Sequence, residues 1–178
     1  MSRTRIAGPT GTLALDDGGQ GGGVPIVLAH SLAGTSGHWS HQLQHLRSSR
    51  RAVAFDFRAH GASEPARNRD YSIGGLAGDL GAVADGLGLG RFVLVGHSLG
   101  GGVALTYAGA HADRVAGLLL LDPIGDGTQI PAEQADSFLR ALEADTTALS
   151  RDTGRRLPDP TPRSRTACWQ ICGPRRGR

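Results

Sequence analysis

The stretch Phe92-Val93-Leu94-Val95-Gly96-His97-Ser98-Leu99-Gly100-Gly101-Gly102-Val103-Ala104-Leu105 decides the fold. Its centre, Gly96-His97-Ser98-Leu99-Gly100, is a G-x-S-x-G. That pattern is a weak signal by itself in a chain with 28 glycines among 178 residues. Its context makes it informative. Phe92 to Val95 is a short apolar, β-branched run, as a buried parallel strand requires. Val103, Ala104, Tyr107 and Ala108 continue at helical spacing. Ser98 is therefore expected on a tight strand-to-helix turn, where Gly96 and Gly100 let strand and helix approach without a Cβ clash. Such a turn, a nucleophile elbow, exposes the serine oxygen and sets a helix N-terminus behind it. It also predicts a positive φ at Ser98.

Working outward, Thr12 to Leu15, Ile26 to Ala29, Ala52 to Phe55 and Val115 to Leu121 read as further strands. Asp16 to Gly23, with five glycines, reads as a turn cluster. Trp39, Leu43 and Leu46 fall at helical spacing. Ile73, Leu76, Leu80, Val83 and Leu87 mark an amphipathic helix closed by Gly88 and Gly90. Strands alternating with helices predict an α/β fold with an open, mostly parallel sheet and helices on both faces. The Phe92–Val95 strand is expected between the Ile26–Ala29 and Val115–Leu121 strands.

Three motifs in order carry a family resemblance: His30-Ser31-Leu32, then Asp56-Phe57-Arg58-Ala59-His60-Gly61-Ala62-Ser63, then Gly96-His97-Ser98-Leu99-Gly100-Gly101. The segment from His111 to Leu118, leading to Leu121-Asp122-Pro123, adds to them. Over residues 10–150 the chain resembles the first two-thirds of an α/β-hydrolase. The resemblance implies cofactor-free hydrolysis of an ester, lactone or related acyl bond in a small-molecule substrate, with Ser98 as nucleophile. It implies backbone N–H groups of Leu99 and Leu32 as the oxyanion hole. Ser31 stands where the family usually has glycine, and it is strained if that position needs an unusual backbone angle. Asp122 is a candidate acid. His30 and His97 are expected to fix loop geometry beside the site rather than act as the base.

The family's triad runs serine, acid, histidine in chain order. This chain's last histidine is His111, so nothing here matches the family's base. The sequence therefore reads as a core over 1–124, the start of a cap or lid helix region over 125–150, and an Arg/Pro-rich, disordered tail over 151–178. Residues 151–178 hold eight Arg and two Asp, against 11 Arg and 14 acids in the rest. This break, with the family's last strands unmatched, fits a truncated or frame-shifted hydrolase, weakly active as given. A non-catalytic relic or binding module, and a fragment completed by a partner chain, are the alternatives.

Composition excludes other classes. All 19 basic residues are Arg, and no basic stripe lies on an expected element, so no nucleic-acid partner is expected. No apolar run approaches the ~18 residues of a membrane span, and Met1 to Gly11 lacks the apolar core of a signal peptide. A cytoplasmic protein is expected. Cys168 and Cys172 match neither a zinc pattern nor a local disulfide. His38, His41 and His45 read as a solvated helix face rather than a metal site. The Val115–Leu121 strand, as an exposed apolar edge, is expected to invite self-association.

Overall fold

The computed structural model describes residues 3–125 and, beyond them, positions 133, 134, 137 and 140. Of the expected 132–149 helix, Glu133, Gln134, Ser137 and Arg140 are helical. The rest of that helix, the 151–178 tail and both cysteines lie outside the described residues. The chain divides into two compact units, residues 1–68 with 73–125, and residues 69–72 with 126–178. In the second, the Ser72 N–H donates to Asp70 Oδ1 at 3.0 Å. Everything that follows concerns the first.

That unit is built on six strands: β1 (Arg3–Ala7), β2 (Thr12–Gly18), β3 (Ile26–Ala29), β4 (Ala52–Phe55), β5 (Phe92–His97) and β6 (Val115–Leu121). They lie in the order β1-β2-β4-β3-β5-β6. β4, β3, β5 and β6 pair in parallel, while β1–β2 and β2–β4 pair antiparallel. The sheet is open and mostly parallel, and β5 lies between β3 and β6 as the sequence predicts. β3 and β4 are buried throughout, as strands covered on both faces must be.

Side-chain alternation divides the core between the two faces. Ile26, Leu28, Ala52, Ala54 and Val95 pack with Trp39 and Leu43. Trp39 ends a 3-10 turn over Ser36–Trp39, and Leu43 belongs to α1 (Ser40–Leu46). The alternate residues Val27, Val53, Phe92 and Leu94 are buried too, on the face where Phe92 meets Tyr107 of α3 (Leu99–Ala110) at 5.9 Å between ring centroids. α2 (Ile73–Gly86) buries Leu76, Leu80 and Val83 and approaches α3 at Gly81, where an added Cβ would lie 3.5 Å from the Tyr107 ring.

Two differences from the sequence reading have physical causes. β1 was not foreseen: Arg3-Thr4-Arg5-Ile6-Ala7 lacks a strand's apolar alternation and is ordered by its ladder with β2. The expected turn cluster starts three residues late, because β2 runs on through Asp16, Asp17 and Gly18. Arg47 Nη2 bonds Asp16 Oδ1 at 2.9 Å, and Arg51 Nη2 bonds Asp17 Oδ2 at 2.7 Å. Those partners let two aspartates stay in a strand. Among the described residues no helix is long and apolar enough to cross a membrane.

Candidate active site

β5 delivers Ser98 to the turn before α3. Its backbone lies at φ 50, ψ −113, sparsely populated for a residue with a side chain. The glycines around it are required sterically. A Cβ on Gly96 would overlap the Gly100 carbonyl, and one on Gly100 would overlap the Ala29 carbonyl. Ser98 is the N-cap of α3, yet its hydroxyl makes no capping bond. A serine at this position ordinarily spends its oxygen on the N2 or N3 amide. Here the backbone does that work. The Ser98 carbonyl accepts from Gly101 at 2.9 Å, Gly102 at 3.2 Å and Ile124 at 3.1 Å. The Ser98 N–H donates to the Leu121 carbonyl at 2.9 Å, which fixes the elbow to the end of β6.

The loop after β3 packs against the elbow backbone to backbone. The Gly100 N–H donates to the His30 carbonyl at 3.1 Å, so the segments bearing Leu99 and Leu32 lie against each other. Among the described residues, the Leu99 and Leu32 N–H groups meet no acceptor. Ser31 is not among the positive-φ residues, so the condition for strain there is not met. The positive φ falls at Ala33 instead, at 57°, inside a turn closed by the Gly34 N–H on the Ser31 carbonyl at 2.9 Å. A turn of this kind needs its left-handed residue at the third position, which leaves Ser31 unstrained.

His30 holds this loop. It is 1% exposed. The Phe57 N–H donates to His30 Nε2 at 3.1 Å, and Nδ1 lies 2.8 Å from the Ser31 carbonyl. The two partners assign a neutral ring with its proton on Nδ1. Burial, and then the neighbouring His60, lower the His30 pKa from 6.5 to about 4. Burial also lowers that of His60, whose Nδ1 lies 3.0 Å from the Arg58 carbonyl.

The 56–63 motif is bound from three sides. Asp56 Oδ1 accepts from the Ser36 N–H at 2.6 Å, and Oδ2 accepts from the Ala62 N–H at 2.9 Å. Ser63 Oγ donates to the Asp56 carbonyl at 2.6 Å. Gly61 has φ 50, and a Cβ there would overlap the Asp56 carboxylate. Arg58 forms a buried two-pronged pair with Asp79 of α2, at 2.8 Å from Nε and 2.6 Å from Nη2. Sequence reasoning missed this pair. Its signal was an aspartate on the apolar face of α2, among Leu76, Leu80 and Val83.

A cleft of about 390 Å³ opens beside the elbow, lined by His30, Ser31, His38, Trp39, Gln42, His97, Leu121 and Asp122. The sequence-derived residues His30, His97 and Asp122 meet there. Ser98, Leu99 and Leu32 do not line it, and Ser98 is half-buried between His97 and the Leu121–Asp122 end of β6. Asp122 is exposed, with φ 44. Trp39, Gln42 and His38 in the wall were not foreseen. The three histidines read as one helix face separate: His38 lies in the 3-10 turn, His41 and His45 on exposed α1. Among the described residues no three His, Cys, Asp or Glu side chains gather as metal ligands would. His111 caps the far end of α3 and packs on Tyr107 at 4.5 Å between rings.

Known proteins share this fold. The family model described as alpha/beta hydrolase fold matches residues 24–152. The chain is 34% identical over 143 residues to a dihydrolipoyllysine-residue acetyltransferase component of an acetoin cleaving system from Pseudomonas putida, covering 80% of this chain and 38% of that protein. It is 38% identical over 98 residues to epoxide hydrolase 3 of Xenopus tropicalis, covering 54% of this chain and 27% of that protein. Among solved structures, Est816, described as an N-acyl homoserine lactone degrading enzyme, superposes with a TM-score of 0.70 at 28% identity, over 92% of this chain and 64% of that one. The chain thus spans less than half the length of these two curated relatives. With the family match extending from before β3 through the elbow and past β6, the chain belongs to the alpha/beta hydrolase fold family.

Proposed function

We propose that the chain carries the nucleophile and oxyanion-hole part of a serine hydrolase for ester, lactone or related acyl bonds. The observation that carries this reading is Ser98 itself: strained, at a helix N-terminus, with a hydroxyl not spent on capping. Ser98 Oγ attacks the acyl carbon and its proton passes to a base. The carbonyl oxygen becomes an oxyanion held by the Leu99 and Leu32 N–H groups, and the alcohol leaves with the returned proton. Water then releases the acid from the acyl-serine by the same steps in reverse. Asp122 is the candidate acid. Lactone degradation by Est816 and the hydrolase relatives support the class.

The base limits this chain. His30 and His60 are neutral and held by backbone bonds, His41 and His45 face solvent, and His111 lies at the other end of α3. Among the described residues no histidine bonds the Ser98 hydroxyl, which favours the second reading, a binding module without turnover. A serine lacking its base retains about 10³-fold catalysis over water from the oxyanion hole and binding. Purified protein is therefore expected to cleave p-nitrophenyl acetate slowly, below about 1 per second, with Ser98→Ala abolishing the activity. Hydrolysis untouched by Ser98→Ala would overturn the serine reading. Fast, Ser98-dependent turnover would overturn the missing base, and alanine variants of His38 and His97 would then name the substitute.

A further inference from the structure

Trp39 is 7% exposed and stands in the cleft wall. Its indole Nε1–H is one of two buried side-chain polar atoms without a hydrogen-bond partner among the described residues, the other being Tyr107 Oη. An unmet buried donor costs about 1–3 kcal/mol, and a ligand acceptor reaching it recovers that cost. Its neighbours in the wall are polar and adaptable: His38 and Gln42 are exposed, and Gln42 follows Trp39 by one helical step. Among the described residues the lining holds one carboxylate, Asp122, and no arginine. The volume, about 390 Å³, suits a small organic group.

We infer that this cleft is a subsite for a neutral, amide-like arm of the acyl substrate, its carbonyl oxygen accepting from Trp39 Nε1–H and its N–H facing Gln42 or Asp122. The inference rests on the Ser98 hydrolase reading and gives it a substrate class. The flat Trp39 ring and Leu121 offer apolar walls for the chain between the amide and the scissile bond. An anionic arm is disfavoured, because among the described lining residues Asp122 would face it and no arginine would balance it. Nε1 is buried in the free protein, so the bond forms only once the side chains around it shift.

The test reads binding without turnover. The protein has two tryptophans, Trp39 and Trp169, so a proton–nitrogen correlation spectrum of the full chain holds two indole signals, which Trp39→Phe assigns. The probes are methyl N-acetyl-γ-aminobutyrate, methyl heptanoate and monomethyl adipate. The amide probe is expected to shift the Trp39 indole signal. Trp39→Phe, which keeps the ring area, is expected to weaken that probe about tenfold and leave methyl heptanoate unchanged. Monomethyl adipate is expected to bind at least about tenfold more weakly than the amide. An unmoved Trp39 signal, equal affinity for all three probes, or no binding would overturn the subsite. Failure of the Ser98→Ala assay with this titration intact would retire the catalytic reading alone.

Discussion

At the residue scale, two conformational costs organise the site. Ser98 sits at φ 50 and is held there by bonds to Leu121, Gly101, Gly102 and Ile124. His30 gives up its charge to keep both ring nitrogens bonded, one to Phe57 and one to Ser31. The second cost makes stability pH-dependent. The folded pKa of about 4 lies below the unfolded 6.5, so the unfolded chain binds more protons between those values. The His30 contribution is complete above about 6.5 and is lost as pH falls toward about 4. Its size is about 3 kcal/mol, and burial of His60 acts in the same direction. Urea unfolding at neutral and mildly acid pH is expected to show this loss, and His30→Asn to flatten it. An equal pH slope in both proteins would refute the assignment.

At the element scale, α2 does more than cover the sheet. Asp79 receives Nε, Nη2 and the backbone N–H of Arg58, while Gly75 accepts Nη2 at 2.6 Å. The side chains of the pair are 3% and 1% exposed. Removing one partner strands the other charge in the interior, at a cost of about 3–5 kcal/mol. Asp79→Ala is expected to lose that much in urea unfolding. An exposed pair such as Arg67–Glu64, 3.9 Å apart, is screened by solvent and contributes little. An Asp79→Ala effect as small as that of Glu64→Ala would show that the pair does not anchor the 56–63 loop.

At the scale of the whole molecule, the two sheet edges differ. β1 carries Arg5, a charge of the kind that blocks edge pairing. β6, Val-Ala-Gly-Leu-Leu-Leu-Leu, carries none. Among the described residues it pairs only with β5, and Leu119 is 51% exposed. Pairing with a second copy is the expected outcome at high concentration. Light scattering should show concentration-dependent association that Leu119→Lys reduces, and a monomer over the whole range would count against it.

The sequence by itself determined the parallel core, because its strands are apolar runs whose burial on both faces leaves few alternatives. β3, β4 and β6 begin and end where the runs do. It also determined the elbow, since Gly96 and Gly100 around a serine admit one tight geometry. Tertiary structure alone decided the rest. β1 exists only through its ladder with β2, and Asp16 and Asp17 remain in β2 through arginines more than thirty residues away. Trp39 of the 3-10 turn, Gln42 of α1 and Asp122 after β6 line one cleft, a proximity no local pattern encodes. Short-range sterics are written in adjacent residues; ion pairs, edge ladders and cleft walls depend on which distant segments the fold brings together.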